Sequence, residues 1–243
     1  MSDAPVYVVT GATGVLGAAV VDALLAGGAR VAAPHRSADA PADLRARAGT
    51  ERLFLAQADA AATASMERFL ASAAGALGPV DGLAAIAGAY AGGGTLEEAP
   101  ADEWTRMLDA NLQTAYAACR AALPHLLKTR GRIVTVASLS AQNAGAGAAA
   151  YAVAKSGVMA LTRVLALENK ERGVRANCVL PGTIDTPDNR RAMPKADPAR
   201  WTPPAALAGL VAFLLSPASA PLTGALLPAD GPVVGAGSRA RAE

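Results

Sequence analysis

A parallel β-sheet covered by helices on both faces is the fold this sequence predicts, and three observations carry the prediction. Short runs rich in Val, Ile and Leu alternate with longer helical stretches along the whole chain. The first run, Val6–Thr10 (VYVVT), is apolar at nearly every position, as a strand buried on both faces must be. No linker or composition shift divides the 243 residues, a length usual for one α/β domain.

The elements follow in order. Residues 17–26 read as a helix stopped by Gly27-Gly28. Residues 30–33 and 53–56 read as the second and third strands, and residues 64–76 as a helix closed by Gly78-Pro79. Residues 82–86, 132–137 (RIVTVA), 175–180 and 225–228 complete a set of seven strands. Residues 102–129 read as one long helical region with a cap at Asp102, residues 150–172 as a long helix, and residues 201–215 as containing another. Connections between parallel strands are expected to be right-handed crossovers. Residues 183–200, rich in Pro, Asp and Arg, are the longest irregular stretch, and a loop of that length in a compact domain reads as a substrate lid. The tail after Gly235 is expected to fray.

Composition narrows the function. Hydrophobic residues make up 52% and charged residues 17%, the reverse of a disordered chain. The net charge is +2 with no Lys/Arg run, so nothing points to nucleic acid. Cys119 and Cys178 form no CxxC or Cys/His pattern and read as reduced thiols. His35 and His125 are too few and too isolated for a metal site. The start, MSDAPVYVVTG, has no basic segment leading into a long apolar run, so no signal peptide is read. Apolar stretches are broken by Gly, Pro or charge before they reach membrane-spanning length. The expectation is a cytoplasmic protein with a small-molecule substrate, without nucleic acid, membrane or metal as partner.

The first strand runs into Thr10-Gly11-Ala12-Thr13-Gly14-Val15-Leu16-Gly17 and then into a helix. Glycines let backbone approach a pyrophosphate, and helix N-terminal amides meet its charge, so Gly11, Thr13, Gly14, Leu16 and Gly17 are candidate cofactor residues. At the end of the second strand an acidic residue would bind a ribose 2′-hydroxyl. His35-Arg36 stands there instead. A guanidinium suits a 2′-phosphate, which favours NADP(H) over NAD(H). Asp59, after the third strand, is placed to bond an adenine amino group.

Tyr151 and Lys155 are four positions apart on one helix and share a face. An ammonium near a phenol favours phenolate and lowers the pKa from about 10, tuning a general acid/base. Ser138 follows the fifth strand, where its hydroxyl is placed to bond a substrate carbonyl. Asn111 sits mid-helix, where an amide has little intrinsic reason to be, and is placed to hold a water relaying protons to Lys155.

Taken together, TGxxGxxG, DANLQTAY with Asn111, IVTVAS with Ser138, Tyr151-AVA-Lys155, NCVLPGTIDTP (177–187) and LTGALLPADG (222–231) resemble the short-chain dehydrogenase/reductase family over essentially the whole chain. The resemblance implies a Rossmann-like doubly wound parallel sheet of about seven strands. It implies a tetrad of Asn111, Ser138, Tyr151 and Lys155, with Tyr151 and Lys155 also touching the cofactor and Lys155 bonding the nicotinamide ribose. Pro181, Gly182, Ile184 and Thr186 would line the nicotinamide. The implied reaction is hydride transfer between NADP(H) and a small-molecule carbonyl or alcohol. Members are usually tetramers or dimers that pair through the long helices carrying Asn111 and Tyr151. Three alternatives stay open: reduction of an imine or quinonoid pterin-like C=N, dehydration or epimerisation on the same scaffold, and a non-catalytic dinucleotide sensor.

Three departures accompany the resemblance. Val15 stands where the short branch of the family has its middle glycine, and Gly14 supplies one a residue earlier, a spacing like the extended branch; the chain is too short for that branch's extra domain. The usual NNAG after the fourth strand is Ala85-Ile86-Ala87-Gly88, so side-chain braces are lost while Ala87 and Gly88 keep backbone contacts for the cofactor. AGAYAGG (87–93) and residues 179–203 resemble dihydropteridine reductases, which usually carry an aspartate at the position of His35, use NADH and lack the serine; this chain has Ser138 and no such aspartate.

Overall fold

The computed structural model describes residues 4–39, 42–47 and 51–231. The tail after Gly235 therefore lies outside the described residues. Strands β1 (Val6–Thr10), β2 (Arg30–His35), β3 (Leu53–Gln57), β4 (Val80–Ala85), β5 (Arg132–Val136), β6 (Arg175–Pro181) and β7 (Leu226–Ala229) form one sheet. Its order is β3-β2-β1-β4-β5-β6-β7, and every pairing is parallel. The chain leaves β3 at one edge and resumes at β4 beside β1. That reversal of strand order opens a crevice at the carboxyl ends of β1 and β4, where open α/β sheets bind ligands.

Strand periodicity decides which face each residue serves. Val6 and Val8 point to one side, where α3 (Thr63–Leu77), α5 (Thr114–Thr129) and α7 (Ala149–Asn169) pack through residues such as Phe69, Leu70, Leu126 and Leu165. Tyr7 and Val9 point to the other, against α1 (Val15–Ala26) and α9 (Pro204–Leu215) through Val20, Leu24, Leu207 and Val211. All five residues of β1 are buried, and each such Val contributes about 1.5–3 kcal/mol of transfer free energy. The helix stops match the glycines read from the sequence: Gly28 (φ 84°) follows α1 and Gly78 (φ 96°) follows α3.

Several expectations are corrected. Residues 102–129 do not make one helix: α4 (Glu103–Met107) and α5 are joined by a π-helical turn, Leu108–Gln113. Asp102 precedes α4 but does not cap it; its backbone is already helical and its carboxylate pairs with Arg106 at 3.2 Å instead. Residues 183–200 are not irregular throughout. They hold α8 (Pro187–Ala192), capped by Thr186, whose hydroxyl accepts from Asn189 N–H at 3.1 Å, and a 3-10 turn at Pro198–Arg200. Two more short helices, α2 (Ala42–Arg47) and α6 (Leu139–Gln142), escaped a reading based on periodicity, which needs longer windows. Finally, α7 with the turn that follows it (Ala149–Arg172, 24 residues) is long and apolar enough by composition to reach across a bilayer. It lies against β5, β6 and the π-helical turn, and presents Lys155, Val158 and Thr162 inward.

Candidate active site

The candidate site residues singled out from the sequence come from eight separate segments, yet all of them line one cleft of about 1810 Å3 along the carboxyl ends of the strands. At its floor, β1 hands the chain to α1 through Gly11–Gly17. Gly11 has φ 71°, and a Cβ there would lie 2.8 Å from Ala87 backbone atoms. A Cβ on Gly17 would lie 2.1 Å from the Gly11 carbonyl oxygen. Both glycines are therefore demanded by close backbone approach. Gly14 begins α1 without a side-chain cap, and the first-turn amides of α1 have no intrahelical acceptor. The lost asparagine braces are replaced by Thr10, whose Oγ1 accepts from Ile86 N–H at 3.1 Å and Ala87 N–H at 3.3 Å, tying β1 to the segment after β4.

One end of the cleft lies past β2. His35 is buried, and its Nδ1 sits 2.9 Å from the Ser37 carbonyl oxygen, shaping the turn from which Arg36 projects exposed. Gln57 Nε2 donates to the Arg36 carbonyl at 3.0 Å. Asp59 is exposed and its Oδ1 accepts from Ala61 N–H at 3.0 Å.

The other end holds the polar cluster. Ser138 follows β5 and caps α6, while Tyr151 stands in the first turn of α7. Lys155, one turn on, is buried and donates to the Val136 carbonyl at 3.0 Å; its Nζ is 5.9 Å from the Tyr151 ring centroid. Asn111 sits in the π-helical turn and is buried. Its Nδ2 donates to the Ala89 and Met107 carbonyls (2.9 and 3.0 Å), and its Oδ1 accepts from Ala89 N–H at 3.2 Å. A π-turn at such a place often marks a functional site. Gly88 is where these groups converge: a Cβ there would lie 2.6 Å from Asn111 Oδ1 and 3.1 Å from Lys155 Nζ. Beyond β6, Pro181, Gly182, Ile184 and Thr186 form the facing wall, and Gly182 packs against Asp230 so closely that a Cβ would lie 2.0 Å from its Oδ1.

A protein-family model described as short chain dehydrogenase matches residues 5–197. The chain belongs to the short-chain dehydrogenase family. Among its relatives, the meso-2,3-butanediol dehydrogenase of Serratia marcescens is 32% identical over 237 residues, covering 94% of each chain. Two solved structures superpose closely. A blue fluorescent protein from a metagenomic library, in complex with NADPH, has a TM-score of 0.84 at 33% identity over 93% of this chain and 96% of that one. A 3-ketoacyl-(acyl-carrier-protein) reductase from Brucella melitensis, complexed with NADH, has a TM-score of 0.83 at 27% identity over 93% and 97%. This short-chain dehydrogenase is thus an NAD(P)-dependent oxidoreductase, and its glycine-lined floor fits a dinucleotide: any side chain at positions 11 or 17 would occupy the backbone approach that the loop needs.

In this short-chain dehydrogenase the electrostatics differ from the sequence expectation in one respect. Tyr151 was expected to have a lowered pKa; it is raised. Burial of the phenol is the largest cause, the Ser138 hydroxyl hydrogen-bonded to it pulls the value back down, and the neighbouring Tyr90 raises it further. Lys155 does not reverse this, because its ammonium is turned to the Val136 carbonyl. Burial lowers Lys155 itself, to about 8. Sequence reasoning missed Ser140, whose hydroxyl lies 2.7 Å from that of Ser138; the signal available was a second serine two positions on.

Proposed function

We propose that this enzyme transfers hydride reversibly between NADP(H) and a small-molecule carbonyl or alcohol, with Tyr151 as general acid/base. The observation that carries the reading is the meeting of the Tyr151 phenol and the Ser138 hydroxyl, with buried Lys155 behind them, in the same cleft that ends at Arg36. When bound, the dinucleotide supplies or accepts the hydride. Gly11, Thr13, Gly14, Leu16 and Gly17 cradle its pyrophosphate at the α1 N-terminus. Arg36 takes the 2′-phosphate, and Asp59 faces the adenine. Ala87, Gly88, Pro181, Gly182, Ile184 and Thr186 hold the nicotinamide half.

The chain's own groups manage the proton. Ser138 holds the substrate oxygen. The raised pKa keeps Tyr151 proton-loaded at neutral pH, which suits a donor to a forming alkoxide. Lys155, mostly ammonium below its pKa of about 8, steadies the phenolate left behind. Asn111 Oδ1 and Lys155 Nζ converge on Gly88, so Asn111 would hold a water that exchanges protons with Lys155. Residues 183–200, with α8 in their middle, act as the lid that excludes water. Two copies or four associate through α5 and α7, on which Tyr116, Val153, Val164 and Leu167 stay exposed. The enzyme works in the cytoplasm, which suits its two unpaired, buried cysteines.

The test is direct. Thermal shift with NADPH and NADH identifies the cofactor, and oxidation of that cofactor is then followed with a carbonyl and imine panel. Tyr151→Phe should lose about a thousandfold or more in kcat with cofactor affinity nearly intact. Undiminished turnover removes Tyr151 from the mechanism. A Ser138→Ala enzyme that keeps its activity on an imine points to C=N chemistry.

A further inference from the structure

We propose that the substrate is an uncharged carbonyl compound with a flat ring beside the C=O, in its simplest form an aryl ketone; this rests on the carbonyl reading above. Few large apolar side chains among the described residues both stay exposed and line the cleft. Val15 does so at the phosphate loop, while Tyr90 and Met193 do so at the far end. Tyr90 is 67% exposed, and its ring lies edge-on to Tyr151, with centroids 5.0 Å apart and planes at 75°. The ring of Tyr90 therefore stands beside the phenol that must reach the substrate oxygen. A substrate whose carbonyl meets Tyr151 and Ser138 lays its neighbouring substituent along Tyr90.

The wall is held in place. Gly93 N–H donates to the Gly147 carbonyl at 2.7 Å, strapping the loop after β4 to the one before α7. A Cβ at Gly92 would lie 2.9 Å from the Tyr90 hydroxyl, so glycine there leaves that ring its position. An open, fixed aromatic surface gains most from another ring, through area burial and quadrupole pairing. Met193, at the end of α8, offers a polarizable thioether to such a ring.

Charge argues against an anionic substrate. Arg190, Arg191, Lys195 and Arg200, the cations of the lid segment, do not line the cleft. Arg190 pairs with Asp185 and Arg191 with Asp188. Of the cleft-lining cations other than Arg36, Arg106 pairs with Asp102 and Lys155 donates to the Val136 carbonyl. Asp109 and Asp188 also line the cleft. Among the described residues, no cation of the lid segment is offered to a carboxylate or phosphate in the cleft, while the Asp109 carboxylate lines it.

The experiment compares acetophenone, 4-acetylbenzoate and butane-2,3-dione as substrates of the wild-type enzyme, Tyr90→Ala and Tyr90→Phe, with NADPH. Acetophenone should exceed the other two in kcat/KM by about tenfold. Tyr90→Ala should erase that preference and Tyr90→Phe keep it. Equal or better turnover of 4-acetylbenzoate or the dione overturns the proposal, as does a preference that survives Tyr90→Ala. If no carbonyl turns over, the carbonyl reading itself fails, and ring binding is judged separately. Acetophenone should then raise the melting temperature of the NADPH-loaded protein, and do so less in Tyr90→Ala. No shift, or the same shift in both proteins, overturns the ring proposal.

Discussion

The hydroxyls of Ser138 and Ser140 lie 2.7 Å apart, and the backbone N–H of Ser140 also points to Ser138 Oγ at 3.3 Å. A hydroxyl has two acceptor positions and one proton. With Ser140 donating from both its backbone and its side chain, the acceptor positions of Ser138 are filled and its own proton is left for the Tyr151 phenol and, once substrate is bound, for the substrate oxygen. Ser138 then serves as a donor to the substrate oxygen.

Ser140→Ala should therefore lower kcat about fivefold, the worth of one neutral hydrogen bond, while KM for the dinucleotide stays unchanged. Ser140→Thr should restore the rate. Steady-state kinetics on the three proteins checks this, and a loss of cofactor affinity in Ser140→Ala, with kcat intact, contradicts it.

Gly88→Ala should lower kcat at least about tenfold, because the added methyl meets Asn111 Oδ1 at 2.6 Å and Lys155 Nζ at 3.1 Å. It must push Asn111 or Lys155 aside and so break their shared approach to Gly88. Stopped-flow single turnovers distinguish a slowed proton step from slow release of product.

Lys155→Met should abolish activity and, in protein without cofactor, raise stability at pH 7. The folded pKa of about 8 lies below the usual 10.5, so between those values the unfolded chain binds more protons. Wild-type stability from this site is lowest below pH 8 and recovers as pH rises toward 10.5. Urea unfolding at pH 7 and pH 10 should show the variant's advantage shrinking with pH. An advantage that grows with pH refutes the assignment.

Arg36→Ala should raise KM for NADPH by about ten- to a hundredfold and leave NADH little affected, since a charge-assisted bond to phosphate is lost only with the former. Equal effects on both cofactors would show that Arg36 does not read the 2′-phosphate.

Local chemistry explains what was legible beforehand. The strands announced themselves because β1, β4 and β5 are buried at nearly every position, which selects mostly apolar residues. The glycine stops at 28 and 78 were readable because their backbone is left-handed in the structure as well. Tyr151 and Lys155 were readable as a pair because helix geometry alone sets a four-residue spacing on one face. The short α2, α6 and α8 were not, since four to six residues carry too little periodicity, and the π-turn around Asn111 leaves no mark in residue type.

The amino-acid order by itself determined the class of sheet, the glycine-rich turn after β1 and the identity of the polar residues, all of which depend on neighbours within a turn or a strand. Only the folded chain decided the strand order that opens the crevice between β1 and β4, the raised rather than lowered pKa of Tyr151, and the convergence of Asn111 and Lys155 on Gly88. Those properties arise from burial and from groups brought together over long stretches of chain, and desolvation at such a meeting point is a sum over the whole tertiary surroundings.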